Sequence, residues 1–501
     1  MASLKKAAIW TTLLALILKL SGFIRESVIA RQFGVSAETD GYNLAFGFIT
    51  LVVAMIATGF NNVFLPMYVK RRNEGSGETN ANALLNWTMI VFVVISVLGW
   101  FFAKDFVPFI YGNMSDKVAV ISVKTTQIFF AFMTMIALSG LLDSYLQSRR
   151  IFVPSQLAKL LATLFSALFA LFFSNVWGIY AVAYGFVFGT VVGALIQTFY
   201  LLRSDYHWRP DLKMERDFRK AFIVLIVPSL LNSVVGQVNL YVNRFFATGI
   251  GDGPVSILSY SSLITSIPTA IYGTTLAVII FTLMSEQVDK LDEFKGTFFR
   301  GMEMSLVTLL PVAIGLGVVG DAVIAFIYQR GAFTSHDTHL VYVALLLYLP
   351  IIVFQGMQLM LSKSMYARGK TAVVFRISVT TIVVNIVMNW LFVDIFGYPA
   401  LAVSASVVSI YYFVVSMIVV YKDLGMAEFK RFARMSGKVI IPSVVMGIVT
   451  WGAKVLLGAS EWHPILEMAA LVPLGAVVYA VGLKVVYPVG FNRLLRIVKR
   501  G

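Results

Sequence analysis

Apolar residues in this chain form long, nearly unbroken runs, neither the alternation of a half-buried strand nor the one-sided stripe of a soluble amphipathic helix. A helix needs about 20 apolar residues to cross a bilayer. Runs of that kind fall at 8–32, 41–69, 81–103, 118–147, 152–174, 178–202, 218–247, 254–285, 297–327, 338–366, 371–395, 398–421, 436–457 and 463–488. The pattern predicts an all-α integral membrane protein of about fourteen transmembrane helices. Several runs are longer than the hydrocarbon is thick, which predicts tilt or extension past the membrane.

The polar interruptions carry a second pattern. Lys and Arg gather in alternate links: Lys5 and Lys6 before the first span, Lys70, Arg71 and Arg72 after the second, Arg149 and Arg150 after the fourth. The series continues through the basic stretch from Arg203 to Lys220 and ends on Arg493, Arg496, Lys499 and Arg500. By the positive-inside rule both termini of this multi-pass protein are expected in the cytoplasm. Lys5 and Lys6 lead directly into the first apolar run with no small-residue cleavage site, so an uncleaved first span is expected.

Composition agrees and removes alternatives. Only 13% of residues are charged, where a soluble surface needs about a quarter. The net charge of +15 follows the alternating links, so it is no nucleic-acid footprint. With no cysteine in the chain, disulfides and thiolate chemistry are excluded. There is no H-E-x-x-H, Walker A or Ser-His-Asp grouping, so a transporter is expected rather than an enzyme, with no cofactor.

The most polar interior link, 204–220, lies midway through the first twelve spans. Gly178-Ile-Tyr-Ala-Val-Ala is echoed by Gly397-Tyr-Pro-Ala-Leu-Ala, and at the same offset Arg149 meets Arg368. These matches predict a six-helix N-terminal lobe (1–203), a cytoplasmic linker (204–220), a second six-helix lobe (221–423), and two extra helices with a basic tail (424–501). A parallel repeat of this kind points to alternating access between two lobes.

Charges within the first span are the main candidate chemistry. Lys19, Arg25, Glu26 and Arg31 lie in or at the end of it, and Asp40 opens the next. A charge in hydrocarbon is costly, so such residues normally face a polar cavity or a partner. Arg25 and Glu26 are neighbours and leave a helix about 100° apart, which predicts different directions for the two. Arg31 and Asp40 are expected to pair across the turn. Asn239 with Asn243, and Asn385 with Asn389, share helix faces at i, i+4; they suit a cation, sugar hydroxyls or interhelical hydrogen bonds. Lys159 and Arg376, near span ends, are expected to snorkel.

Four stretches in order resemble the MurJ/MviN family of the MOP exporter superfamily. They are Gly22 to Gly34 (GFIRESVIARQFG) with Thr39-Asp40, Leu141 to Pro154 (LLDSYLQSRRIFVP), Tyr328 to Thr334 (YQRGAFT), and Met365 to Thr371 (MYARGKT) with Asn385 and Asn389. The resemblance implies a flippase for an undecaprenyl-pyrophosphate-linked saccharide, lipid II first. It places Lys19 and Arg25 at the pyrophosphate, where Arg offers bidentate geometry; a purely structural ion pair is the other reading of these residues. It also places an apolar groove for the lipid tail on spans thirteen and fourteen. Na+, H+ or the membrane potential are the candidate energy sources, and cell-wall synthesis enzymes the candidate protein partners.

The chain also departs from the family pattern. Leu51 to Phe60 has no arginine where the family carries a pair, and Tyr260 to Leu263 lacks the span-eight arginine. A less cationic cavity is therefore expected. This leaves export of another lipid-linked saccharide, such as an exopolysaccharide repeat unit, as the alternative. A cation-coupled drug exporter is a more remote one, since it calls for an acidic pocket.

Overall fold

A computed structural model describes residues 2–73, 77–204, 206–235 and 237–500. Among them every regular element is helical. In chain order these are α1 (Ala2–Phe33), α2 (Ala37–Gly59), α3 (Leu65–Asn73), α4 (Gly77–Tyr111), α5 (Asp116–Ala131), α6 (Met133–Ser148), α7 (Val153–Trp177), α8 (Tyr180–Leu202), α9 (Arg216–Val235), α10 (Val238–Thr248), α11 (Pro254–Glu286), α12 (Leu291–Tyr328), α13 (Ser335–Ala367), α14 (Thr371–Phe396), α15 (Tyr398–Leu424), α16 (Met426–Leu456), α17 (Pro464–Val486) and α18 (Pro488–Arg500). Twelve helices among the described residues are long and apolar enough to cross a membrane, thirteen when the bent pair α5–α6 is one span. The fourteen expected from the apolar runs are not reached, because α1 falls outside that count.

Three predicted spans are not straight rods. The fourth breaks at Phe132 with a 56° bend, although neither Pro nor Gly stands near it. The seventh is split into α9 and α10 at Gln237. The second passes through one π-helical turn, Phe60–Phe64, before continuing as α3. Pro66 explains that widening, since it supplies no N–H and its ring crowds the carbonyl one turn back.

By contact the chain forms two units, Met1–Ser256 with Arg330–Phe333, and Ile257–Gln329 with Thr334–Gly501. In the first unit α8 packs on α7 along Gly185, Gly189 and Gly193. A Cβ there would lie 2.3 Å from the Phe165 carbonyl oxygen, 2.5 Å from that of Leu161 and 2.7 Å from the Ala158 Cβ. Lipid tails are as apolar as leucine, so membrane helices associate through close backbone approach of this sort.

The link at 204–220 lies against the start of α4. Asn82 donates to the His207 carbonyl (3.0 Å), Asn86 to those of Arg209 (2.9 Å) and Asp211 (2.8 Å), and Trp87 to that of Leu212 (3.0 Å). Tyr206 donates its hydroxyl to Asn82 Oδ1 at 2.5 Å. Burial, then the neighbouring Tyr68 and Glu78, hold the Tyr206 phenol above its usual pKa, so it donates as the neutral group.

The second unit has its core among α12, α13, α15 and α16, with Met302, Met360, Leu361 and Val439 among its fully buried members. The sequence echo has a backbone counterpart: Gly178 (φ 56°, ψ −144°) and Gly397 (φ 64°, ψ −144°) each end one helix, within two residues of the start of the next. That conformation needs glycine. The matched arginines also play one part twice. Arg149 pairs with Glu78 at 2.9 Å and lies over the rings of Tyr68 and Tyr206, while Arg368 pairs with Asp423 at 3.0 Å and lies over Phe294.

Candidate substrate site

The charged first span contributes one inward cation. Arg25 and Glu26 bond to each other, with Nε 3.1 Å from Glu26 Oε1 and a second, shorter contact through Nη2. Both side chains are 12% exposed. The guanidinium lies 4.3 Å over the Phe46 ring of α2. Phe46 is stacked on Tyr42 and meets Phe186 edge-on. The expectation that adjacent residues would look in different directions is corrected. The 100° separation holds at Cβ, but a long Arg side chain swings across it. A cation–carboxylate pair on an aromatic floor is net neutral, which lowers the cost of keeping it out of water.

Lys19 is exposed, as are Ile17 and Leu20 beside it. The structure does not bring Lys19 together with Arg25. The expected pairing of Arg31 with Asp40 is also replaced. Asp40 is 1% exposed and accepts from Gly253 N (2.6 Å), Ser256 N (2.7 Å) and Ser256 Oγ (2.6 Å), capping the first turn of α11. Arg31 supplies its carbonyl oxygen to Ala332 N at 2.8 Å. That contact joins two of the sequence motifs. A Cβ on Gly331 would stand 2.4 Å from the Arg31 oxygen and one on Gly34 2.6 Å from the Ala332 oxygen, and both glycines have positive φ. Replacing Asp40 with Asn keeps the size and removes the charge from three hydrogen bonds; the expected cost is about 2 kcal/mol of stability. Reversible unfolding of the purified variant in mixed micelles checks it.

The asparagine pairs fare differently. Asn385 and Asn389 are fully buried in α14 and joined to each other at 3.4 Å. Asn239 and Asn243 are half-buried on α10.

Two polar groups escaped the sequence reading. Arg244 on α10 occupies the space left by Gly47 of α2, where a Cβ would stand 1.2 Å from Nη1. Tyr241 donates to the Gly47 carbonyl at 3.1 Å and stacks on Tyr111. The signal was a glycine inside a membrane span, which often marks a close approach. The second is buried Asp143, which takes Lys159 at 2.6 Å and Gln197 at 2.6 Å, with Gln197 also accepting from Ser139 at 2.7 Å. Lys159 therefore ends on a carboxylate, where snorkelling to the interface was expected; Arg376 is exposed.

Apolar cavities complete the picture in each unit. In the first, a cavity of about 750 Å³ is lined by Val52, Ile56, Phe60, Trp87 and Phe222, with Arg219 as its cation. The Leu51 to Phe60 stretch thus gives this cavity one apolar wall. In the second, an apolar groove of about 510 Å³ runs between α12, α13, α15 and α16, past Leu310, Val353, Phe413 and Ile440. This groove is lined by spans nine, ten, twelve and thirteen, so it shares only span thirteen with the groove expected on thirteen and fourteen.

The family model described as "Lipid II flippase MurJ" matches residues 29–472. The chain belongs to this family. The match spans the Arg31–Ala332 contact, the Asp40 cap, both asparagine pairs and both cavities. A "Probable lipid II flippase MurJ" of Buchnera aphidicola subsp. Acyrthosiphon pisum is 25% identical over 429 residues, covering 81% of this chain and 82% of the relative. The "Lipid II flippase MurJ" of Burkholderia cenocepacia is 26% identical over 410 residues, 78% and 79% of the two chains. Among solved structures, a lipid II flippase MurJ in an inward closed conformation superposes with a TM-score of 0.81 at 19% identity, covering 96% of this chain and 99% of that one. An inward-facing multidrug resistance MATE transporter of the MOP superfamily reaches 0.70 at 12% identity, 84% and 96%. The fold is that of a MOP-superfamily transporter. As a MurJ-family member the chain is a multi-pass membrane transporter, not an enzyme.

Proposed function

We propose that the chain moves lipid II from the inner to the outer leaflet of the bacterial cytoplasmic membrane by alternating access. Both termini lie in the cytoplasm, and the repeated halves, 1–203 and 221–423, rock about the link at 204–220. The observation that carries the reading is Arg25, a nearly covered cation on α1 of a MurJ-family chain. Its counter-ion is the adjacent Glu26, so the pair is a latch. An arriving pyrophosphate takes the guanidinium bidentately and displaces Glu26. The cycle couples to Na+, H+ or the membrane potential, with the buried Asn385–Asn389 pair as the candidate cation or sugar site. Enzymes of cell-wall synthesis use the delivered substrate.

The test is growth. A strain depleted of its own lipid II flippase is expected to grow when this chain is expressed and to lyse when it is not. Lysis despite normal membrane insertion would overturn the assignment. One observation favours a second substrate: Leu51 to Phe60 lines an apolar cavity. Another lipid-linked saccharide with a smaller anionic demand fits that wall, and rescue of its export without rescue of growth would select it.

A further inference from the structure

A cavity of about 310 Å³ in the second unit lies where α16 meets α18, lined by Phe299, Arg431, Arg434, Lys438, Tyr487 and Arg493 among others. Arg431, Arg434 and Lys438 stand at i, i+3 and i+7, one face of α16. Arg493 comes from α18. Two of the four cations are answered. Glu428 takes Arg431 at 3.2 Å, and Glu303, fully buried in α12, bonds Arg493 and the Tyr487 hydroxyl. Arg434 and Lys438 have no carboxylate within 4 Å among the described residues. The pocket therefore holds a net charge of about +2.

The site is held in shape by its neighbours. Glu303 fastens the start of α18 to α12, Arg431 lies 4.0 Å over the Phe299 ring, and Lys438 sits over the Tyr487 ring. The two unanswered cations, Arg434 and Lys438, would repel one another without an anion between them. The surroundings indicate which anion. Val489, in the lining, is exposed, as are Met426, Phe429, Ile440 and Ile441 along α16. A soluble phosphate has no use for that apolar rim, whereas an acyl chain does. The sequence of α18 alternates apolar residues (Phe491, Leu494, Leu495, Val498) with basic ones (Arg493, Arg496, Arg500), the pattern of a helix lying in the membrane interface.

We propose that this pocket binds the phosphate headgroup of an anionic phospholipid, which ties α18 to α16 at the basic face of the membrane. The site is separate from Arg25 and does not depend on which saccharide is carried.

The test uses the purified full-length chain in a neutral detergent, with thermal unfolding as the readout. Dioctanoyl phosphatidylglycerol is expected to raise Tm in a saturable way. Dioctanoyl phosphatidylcholine and sn-glycerol 3-phosphate at the same concentrations are not. R434Q/K438Q is expected to weaken the apparent affinity for phosphatidylglycerol by about tenfold or more. K422Q/K430Q, which removes two exposed basic residues outside the pocket, is expected to keep it. Should the double variant fold poorly, K438Q alone is expected to show a smaller loss in the same direction. An equal Tm rise with phosphatidylcholine, an equal rise with glycerol phosphate, or unchanged affinity in the pocket variants would each overturn the proposal. The second result would make this a site for soluble phosphate.

Discussion

Cells that depend on this chain for lipid II export are expected to stop growing when Arg25 is replaced by alanine. The translocation rate should fall about a hundredfold or more, the scale for truncating one partner of a desolvated charge pair. The single substitution has a second effect, because it strands the Glu26 carboxylate in a site with little water, and an orphaned buried charge can itself unfold a protein. R25A/E26Q separates the two. That variant removes both charges, so it should insert and fold like the parent, yet remain inactive. R25K keeps the charge and loses the fork that grips two phosphate oxygens at once, so intermediate growth is expected. Full growth of R25A/E26Q would show that Arg25 serves only to neutralise Glu26. Quantitative membrane immunoblots alongside the growth curves make the distinction.

Lys454→Ala is expected to be the most destabilising single change in the second unit. Lys454 lies between Asp321, with both oxygens at 2.7 Å, and Glu467 at 2.8 Å, and donates to the Val318 carbonyl at 2.9 Å. Its side chain is 10% exposed and that of Glu467 4%. Without the ammonium, two carboxylates face each other across an apolar gap. Breaking a buried ion pair from one side costs about 3–5 kcal/mol. The neutral combination D321N/K454M/E467Q removes all three charges and should recover most of the loss, since replacing a whole buried cluster is often close to neutral. Unfolding in mixed micelles measures both. A loss under about 1 kcal/mol for Lys454→Ala would mean that water reaches the triad.

The class of protein and the positions of most spans were legible because hydrocarbon imposes its own length on any segment that crosses it. The motif at Gly22–Gly34 and the one at Tyr328–Thr334 were legible as motifs, and the Arg31–Ala332 contact gives their glycines a shared physical reason. What stayed hidden depended on distance along the chain or on side-chain reach. Asp40 read as half of a surface pair, because its partners, Gly253 and Ser256, lie two hundred residues away. The Arg25–Glu26 bond was missed by reasoning from Cβ directions alone. Lys454, Asp321 and Glu467 come from α16, α12 and α17, and only the fold brings the three together. The break at Phe132 had no proline or glycine to announce it. Arg244 lies inside α10 and fills the space beside Gly47, almost two hundred residues earlier in the chain.

Transport of lipid II by this chain is measured on the lipid itself. In cells depleted of their own lipid II flippase and expressing this chain, the fraction of lipid II cleaved by a membrane-impermeant hydrolase added outside reports the outer-leaflet pool. This fraction is expected to return to the level of undepleted cells, and R25A/E26Q is expected to leave it at the depleted level. An outer-leaflet fraction that stays at the depleted level, with the unmodified chain fully inserted in the membrane, would contradict lipid II transport by this chain.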